Sequence, residues 1–95
     1  MQDDDFEWDD DKAASNWLDH GVRFETARDV FKDGFAIEWL DDLHGDPEQR
    51  FITVGMVGNR LLFVSYTLRG ERIRIISARE AEPRERRRYH NDNQT

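Results

Sequence analysis

The chain reads as an α+β domain in which two early helices pack on a late, antiparallel sheet. Three observations carry that reading. Turn signals at Gly58-Asn59 and Arg69-Gly70 divide residues 50–78 into three apolar, β-branched runs, the pattern of a meander. Two helical patterns, about 11–20 and 24–31, precede that meander. A basic stretch led by Pro83 follows the last strand and reads as one short further helix. The expected order is β-α-α-β-β-β-β-α within a single domain spanning 1–95.

Each element has a local reason. Residues 1–5 and 91–95 are expected to fray. Phe6 to Asp9 alternates apolar and polar side chains, as a short strand does. One of Asp9, Asp10 and Asp11 is expected to cap the helix that follows. As a metal cluster they are poor, because consecutive carboxylates diverge at a helix start. Ala14, Trp17 and Leu18 fall at i, i+3 and i+4 and read as the buried face of the first helix. Trp8 and Trp17 are placed in the core. Gly21 suits a left-handed cap. The second helix turns Phe24, Ala27, Val30 and Phe31 inward and breaks at Asp33-Gly34. Residues 35–40 read as a strand and 41–48 as a loop. His44 and Asp46 in that loop make a loose metal pair with no third ligand nearby. With the apolar residues committed to one small core, any homodimer is expected to be weak.

Composition excludes several classes. No run approaches the ~18 apolar residues of a membrane helix. The acidic start lacks a signal-peptide pattern, so the expected compartment is the cytoplasm. The absence of cysteine excludes disulfides, thiolate zinc sites and a cysteine nucleophile. The net charge of −7 is unevenly spread. Residues 1–50 hold 16 Asp/Glu against 5 Lys/Arg, whereas residues 51–95 hold 5 Asp/Glu against 9 Arg. The first half repels polyanions and the second suits phosphate.

The basic half is organised around residues 72–89. A strand, Arg72 to Ala78, hands over through Glu80-Ala81-Glu82-Pro83 to Arg84-Glu85-Arg86-Arg87-Arg88-Tyr89. By simple alternation Arg72 and Arg74 share one face, and Ile73, Ile75, Ser77 and Arg79 the other. The final helix is short and its cations repel, so its stability must come from docking.

Taken in order, the residues resemble the BrnT toxin family of bacterial type II toxin–antitoxin modules. The resemblance rests on Phe6 to Asp9, Lys12, Asn16, His20-Gly21-Val22, Phe24-Glu25, Ala27, Val30-Phe31 and Asp33. It continues through Glu48, Arg50-Phe51-Ile52, Gly55-Met56, Arg72 to Arg79 and Arg84 to Tyr89. It departs from the family at Arg23 and Glu82, where a helix-capping Ser or Thr is common. The resemblance implies a RelE-like fold and a small ribonuclease that blocks translation. It implies an RNA substrate, met free or on the ribosome, and a ribbon-helix-helix antitoxin of the BrnA kind that carries any contact with operator DNA.

Metal-free RNA cleavage needs a base for the 2′-hydroxyl, an acid for the leaving 5′-oxygen and cations for the phosphorane. The candidates for catalysis are His20, Arg50, Arg79, Arg86 and Tyr89. Lys12, Arg72 and Arg74 are candidates for holding RNA. His20 reads equally as a helix-end cap, and each arginine singly as a structural ion pair. Trp39 and Tyr66 read as core, with base stacking as the alternative. No cofactor and no metal is expected. The alternative function is a catalytically weak member that holds an antitoxin and tunes operator binding.

Overall fold

The structure, a computed structural model, describes residues 1–42 and 48–94. The His44–Asp46 pair considered above lies outside the described residues. The elements are β1 (Phe6–Glu7), α1 (Asp10–His20), α2 (Phe24–Ala27), a 3-10 turn (Arg28–Lys32), β2 (Ile37–Asp41), β3 (Arg50–Val57), β4 (Arg60–Arg69), β5 (Arg72–Glu80) and α3 (Pro83–Asp92). The five strands form one sheet in the order β1-β5-β4-β3-β2. Strands β2 to β5 are an antiparallel meander, and β1 adds to β5 in parallel. Among the described residues no helix is long and apolar enough to cross a membrane.

The turns form where glycine permits them. Gly58 and Gly70 both sit at φ +60°, which costs a side-chain-bearing residue steric strain. The second loop is Gly70-Glu71, one residue later than expected, because Arg69 still pairs with Arg72. Gly21 adopts φ 66° and returns its N–H to the Trp17 carbonyl at 2.9 Å, closing α1. Asp9 opens that helix by accepting the Lys12 amide at 3.0 Å.

Residues 1–5, expected to fray, make defined hydrogen bonds in the structure. The Asp3 carboxylate accepts the amides of Asp5 and Phe6 at 2.9 and 2.7 Å. The Ile73 amide of β5 reaches the Asp5 carbonyl at 2.9 Å, so the segment is tied to the sheet edge. At the other end α3 runs through Asp92, and the Asn93 side chain donates to the Phe35 and Tyr89 carbonyls at 3.0 and 2.7 Å. The second helix is α-helical only to Ala27 and tightens into the 3-10 turn thereafter.

The sheet is covered on both faces. On one, Trp8, Val22, Phe24, Ala27 and Val30 bury against Leu62, Val64, Ile75 and Ala78. On the other, Tyr89 of α3 buries with Ile52, Val54 and Leu61. Adjacent Leu61 and Leu62 are both fully buried because they point to opposite faces of β4. The helices α1 and α2 therefore occupy one layer and α3 the other.

The face that α1 buries is not the one expected. Trp17 is 44% and Leu18 82% exposed. The helix packs instead through Ala13 and Asn16. Asn16 decides this. Its amide donates to the carbonyls of Val22 and Ala78 at 2.9 and 2.8 Å, and its oxygen accepts the Ala78 amide at 3.0 Å. One side chain thus completes the hydrogen bonds of the β5 edge beyond the reach of β1. With Trp17 and Leu18 outside, the apolar residues are not all committed to the core, which removes the reason given for expecting a weak homodimer. Asn16→Ala strands these buried groups and should cost about 3 kcal/mol. Urea unfolding measures it, and a loss under about 0.5 kcal/mol would refute this role.

A bulge reverses the alternation on β5. Ser65 pairs with Ser77 and Tyr66 with Ile75, so Ile76 is the extra residue. Ile75 and Ala78 consequently share the α1 face, while Ser77 and Arg79 turn to the α3 face. Arg79 was expected on the face of Ile73 and Ile75; the bulge places it opposite them.

Candidate nucleic-acid interface

Arginine 79 leaves β5 on the α3 side and meets the helix it leads into. Its two terminal nitrogens donate to the two oxygens of Glu85, both at 2.8 Å, and Nη1 also donates to the Glu80 carbonyl at 3.1 Å. The guanidinium lies 3.9 Å from the centre of the Phe63 ring, its cross-strand neighbour. Glu85 also accepts the Glu82 amide at 2.8 Å and so secures the first turn of α3. Burial pushes the Glu85 carboxyl up, but the Arg79 fork and the Glu82 amide outweigh it and hold it below its ordinary value. The same pairing raises Arg79.

One turn on, Tyr89 anchors the other end. Its hydroxyl donates to Asp33 at 2.7 Å, and Asp33 also accepts the amides of Met56 and Phe35 at 2.8 and 2.9 Å. Burial, then the bond to Asp33, pushes the Tyr89 hydroxyl up to about 12. Burial acts to raise Asp33 too, but the two amides and the hydroxyl prevail and hold it low. Gly55 lies against this corner, where an added Cβ would meet Val30 at 3.0 Å and Ala36 at 3.1 Å.

These two carboxyls set an acid limit. Each is held below its ordinary value, 3.8 for Asp33 and 4.5 for Glu85. The stability they contribute is complete above those values and is lost as pH falls through the lower folded-state values. Tyr89→Phe removes one bond to Asp33, so the melting temperature should drop less between pH 6 and pH 3 in the variant than in the wild type. An identical drop in both would exclude the Tyr89–Asp33 contribution.

Outside this seam α3 is cationic. Among the described residues Arg84, Arg86 and Arg87 form no ion pair, and Arg88 comes only within 4.0 Å of Asp92. The Arg88 guanidinium lies 4.3 Å from the centre of the Trp39 ring. Trp39, Arg84, Glu85 and Arg88 line a cavity of about 230 Å³ where α3 meets the sheet. Trp39 is half-buried, held edge-on by Phe63 at 6.2 Å. An aromatic plate with two arginines suits a nucleotide, the ring taking a base and the guanidinium a phosphate.

The other candidates lie elsewhere. Arg74 pairs with Glu7 at 2.7 Å, and Arg72 donates to the Asp3 carbonyl at 2.7 Å, both at the β1 edge. Arg50 begins β3 opposite Asp41. Lys12 is exposed on α1, in the layer opposite α3. His20 ends α1, and its side chain makes no hydrogen bond among the described residues. Its turn is tied to the end of β5, because Arg60 bridges the Gly21 carbonyl at 3.2 Å and Glu80 at 3.3 Å. Tyr66 is buried, with its hydroxyl on Glu38 at 2.9 Å and its pKa raised.

The structure thus gathers Arg79, Arg86 and Tyr89 on or beneath α3 and leaves Lys12, Arg72 and Arg74 apart. Sequence reasoning missed Arg84 and Arg88. Their i, i+4 spacing beside the equally spaced Glu85 and Tyr89 was the available signal. No match is found among curated proteins. A family of ribonuclease toxins, BrnT, of type II toxin–antitoxin systems matches residues 8–85, from Trp8 of the core to Glu85 of the seam. That span takes in strands β2 to β5, both early helices and the first turn of α3, and the chain belongs to the BrnT family of ribonuclease toxins.

Proposed function

We propose that the chain cleaves RNA without a metal, at the cleft where α3 crosses the sheet. The observation that carries this reading is the Trp39 ring with Arg88 4.3 Å above it and Arg84 beside it. In the reaction the 2′-oxygen attacks the adjacent phosphorus, the bond from phosphorus to the 5′-oxygen breaks, and a 2′,3′-cyclic phosphate results. Arg84, Arg86 and Arg88 on α3, with Arg50 from β3, stabilise the charged phosphorane. His20 carries the proton, a role its place at the α3 end of the sheet favours. Arg79 and Tyr89, each bonded to a carboxylate, act by holding α3 over the cleft.

A toxin of this family has a cognate antitoxin and an RNA substrate. We place this chain's antitoxin in the ribbon-helix-helix class, with operator DNA bound only through it, and place the toxin's effect at translation. The test is purified chain and a defined RNA in excess chelator. Fragments ending in a cyclic phosphate are expected, and abolition by chelator would overturn the metal-free mechanism.

A second reading, a weak enzyme that mainly holds its antitoxin, is favoured by the carboxylate partners of Arg74, Arg79 and Tyr89. Intact transcripts and normal growth on induction of the chain alone would select it.

A further inference from the structure

The outer face of α1 presents two large apolar side chains that the fold leaves unused. Trp17 is 44% and Leu18 82% exposed. They border a cavity of about 380 Å³ that reaches down to Phe24 at the core. The Arg23 guanidinium lies 4.2 Å from the Trp17 ring centre and steadies the indole. A fixed, half-exposed tryptophan beside a leucine is the composition of an anchor point in a protein interface. The surround is acidic. Asp11 stands two turns N-terminal of Leu18 on the same face, Asp19 follows it, and Glu25 borders the cavity. None of these three carboxylates makes an ion pair among the described residues. Apart from His20 at the end of α1, the site described above lies on the other face of the sheet, with α3.

We propose that the α1 face of Trp17 and Leu18 docks the cognate antitoxin, through a segment carrying a large apolar side chain flanked by lysine or arginine. The acidic rim argues for that charge, and it argues against a second copy of this chain, whose own α1 would bring the same carboxylates into contact. The inference rests on the family's two-component character. It adds that the antitoxin is gripped on the side away from the cleft, so that grip and cleavage can be separated by mutation.

The test uses the full chain and the antitoxin encoded in the same module. Leu18→Arg and Trp17→Lys each remove apolar surface and add a charge that repels a basic partner. Either should weaken antitoxin binding by about 30-fold or more, while the variant alone cleaves RNA and arrests growth like the wild type. The pair Asp11→Lys with Asp19→Lys, which leaves the apolar residues in place, should weaken binding and flatten its salt dependence. Variant and wild-type chains that bind equally would overturn the proposal. So would a wild-type dimer that Leu18→Arg converts to monomer without affecting antitoxin binding, because the face would then belong to a second copy. A wild-type chain that binds no antitoxin at all would overturn the two-component premise as well, and is recognised by failing before any variant is compared.

Discussion

Alanine at position 79 is expected to destabilise the protein by about 2–3 kcal/mol and, in a chain of this size, to lower its melting temperature by roughly 10–20 °C. The substitution leaves the Glu85 carboxylate, whose side chain is 10% exposed, without both of its 2.8 Å bonds to the guanidinium. It also strips the cation from the Phe63 ring. The loss falls on α3, which has few apolar anchors of its own. RNA cleavage should fall too, because the arginines of α3 lose their fixed position over Trp39. Two outcomes are thereby entangled, and a charge swap separates them. Arg79→Glu with Glu85→Arg restores a pair in reversed order. If Arg79 acts only by holding α3, the swap recovers stability and activity together. If its guanidinium touches the scissile phosphate, stability returns and cleavage does not. Melting curves and single-turnover cleavage on the two single variants and the double give the coupling directly. A coupling near zero would mean that the fork between Arg79 and Glu85 contributes nothing.

The second large effect is on chemistry alone. Arg84→Ala combined with Arg88→Ala should reduce cleavage by about 100-fold or more while stability changes by roughly 0.5 kcal/mol or less. Both side chains are exposed on α3, and among the described residues the one ion pair either makes is that of Arg88 with Asp92 at 4.0 Å. Their removal leaves the Glu85 and Tyr89 seam intact. Trp39→Phe keeps a ring on the strand but narrows the plate, so a smaller loss is expected there, read as a raised KM more than a lowered kcat. Full activity in the double arginine variant would move the site away from this cleft, and the alternative arginine to test is Arg50.

The meander was legible because each of its signals is local. Glycines at 58 and 70 mark the turns, and β-branched runs lie between them. The caps Asp9 and Gly21 were equally plain. What sequence could not give was which side of each element faces inward. In α1 the apolar stripe Ala14, Trp17, Leu18 competes with a stripe containing Asn16, and periodicity favours the first. The buried face is nonetheless the second, because the unpaired edge of β5 at Ala78 needs a donor and an acceptor that only Asn16 supplies. That need arises from residues 62 positions apart and leaves no trace in a local window. The arginines were recognised as a group, but their division into held and open ones depends on Glu7, Glu85 and Asp3, which the chain brings to them only on folding.

The extra residue on β5 also constrains how this chain can change length. Deleting Ile76 would leave composition and charge almost untouched and restore strict alternation along the strand. Arg79 would stay opposite Phe63 and Ala78 opposite Val64, each on its present face, because Ile76 is the one residue of this stretch without a partner in the ladder. Losing Ser77 or Ala78 instead, with the bulge kept, would turn Arg79 away from Glu85 and toward the α1 layer. A lineage carrying this toxin can therefore shorten the strand by one residue at Ile76 and keep both faces, but not at the positions that follow it while the bulge stays.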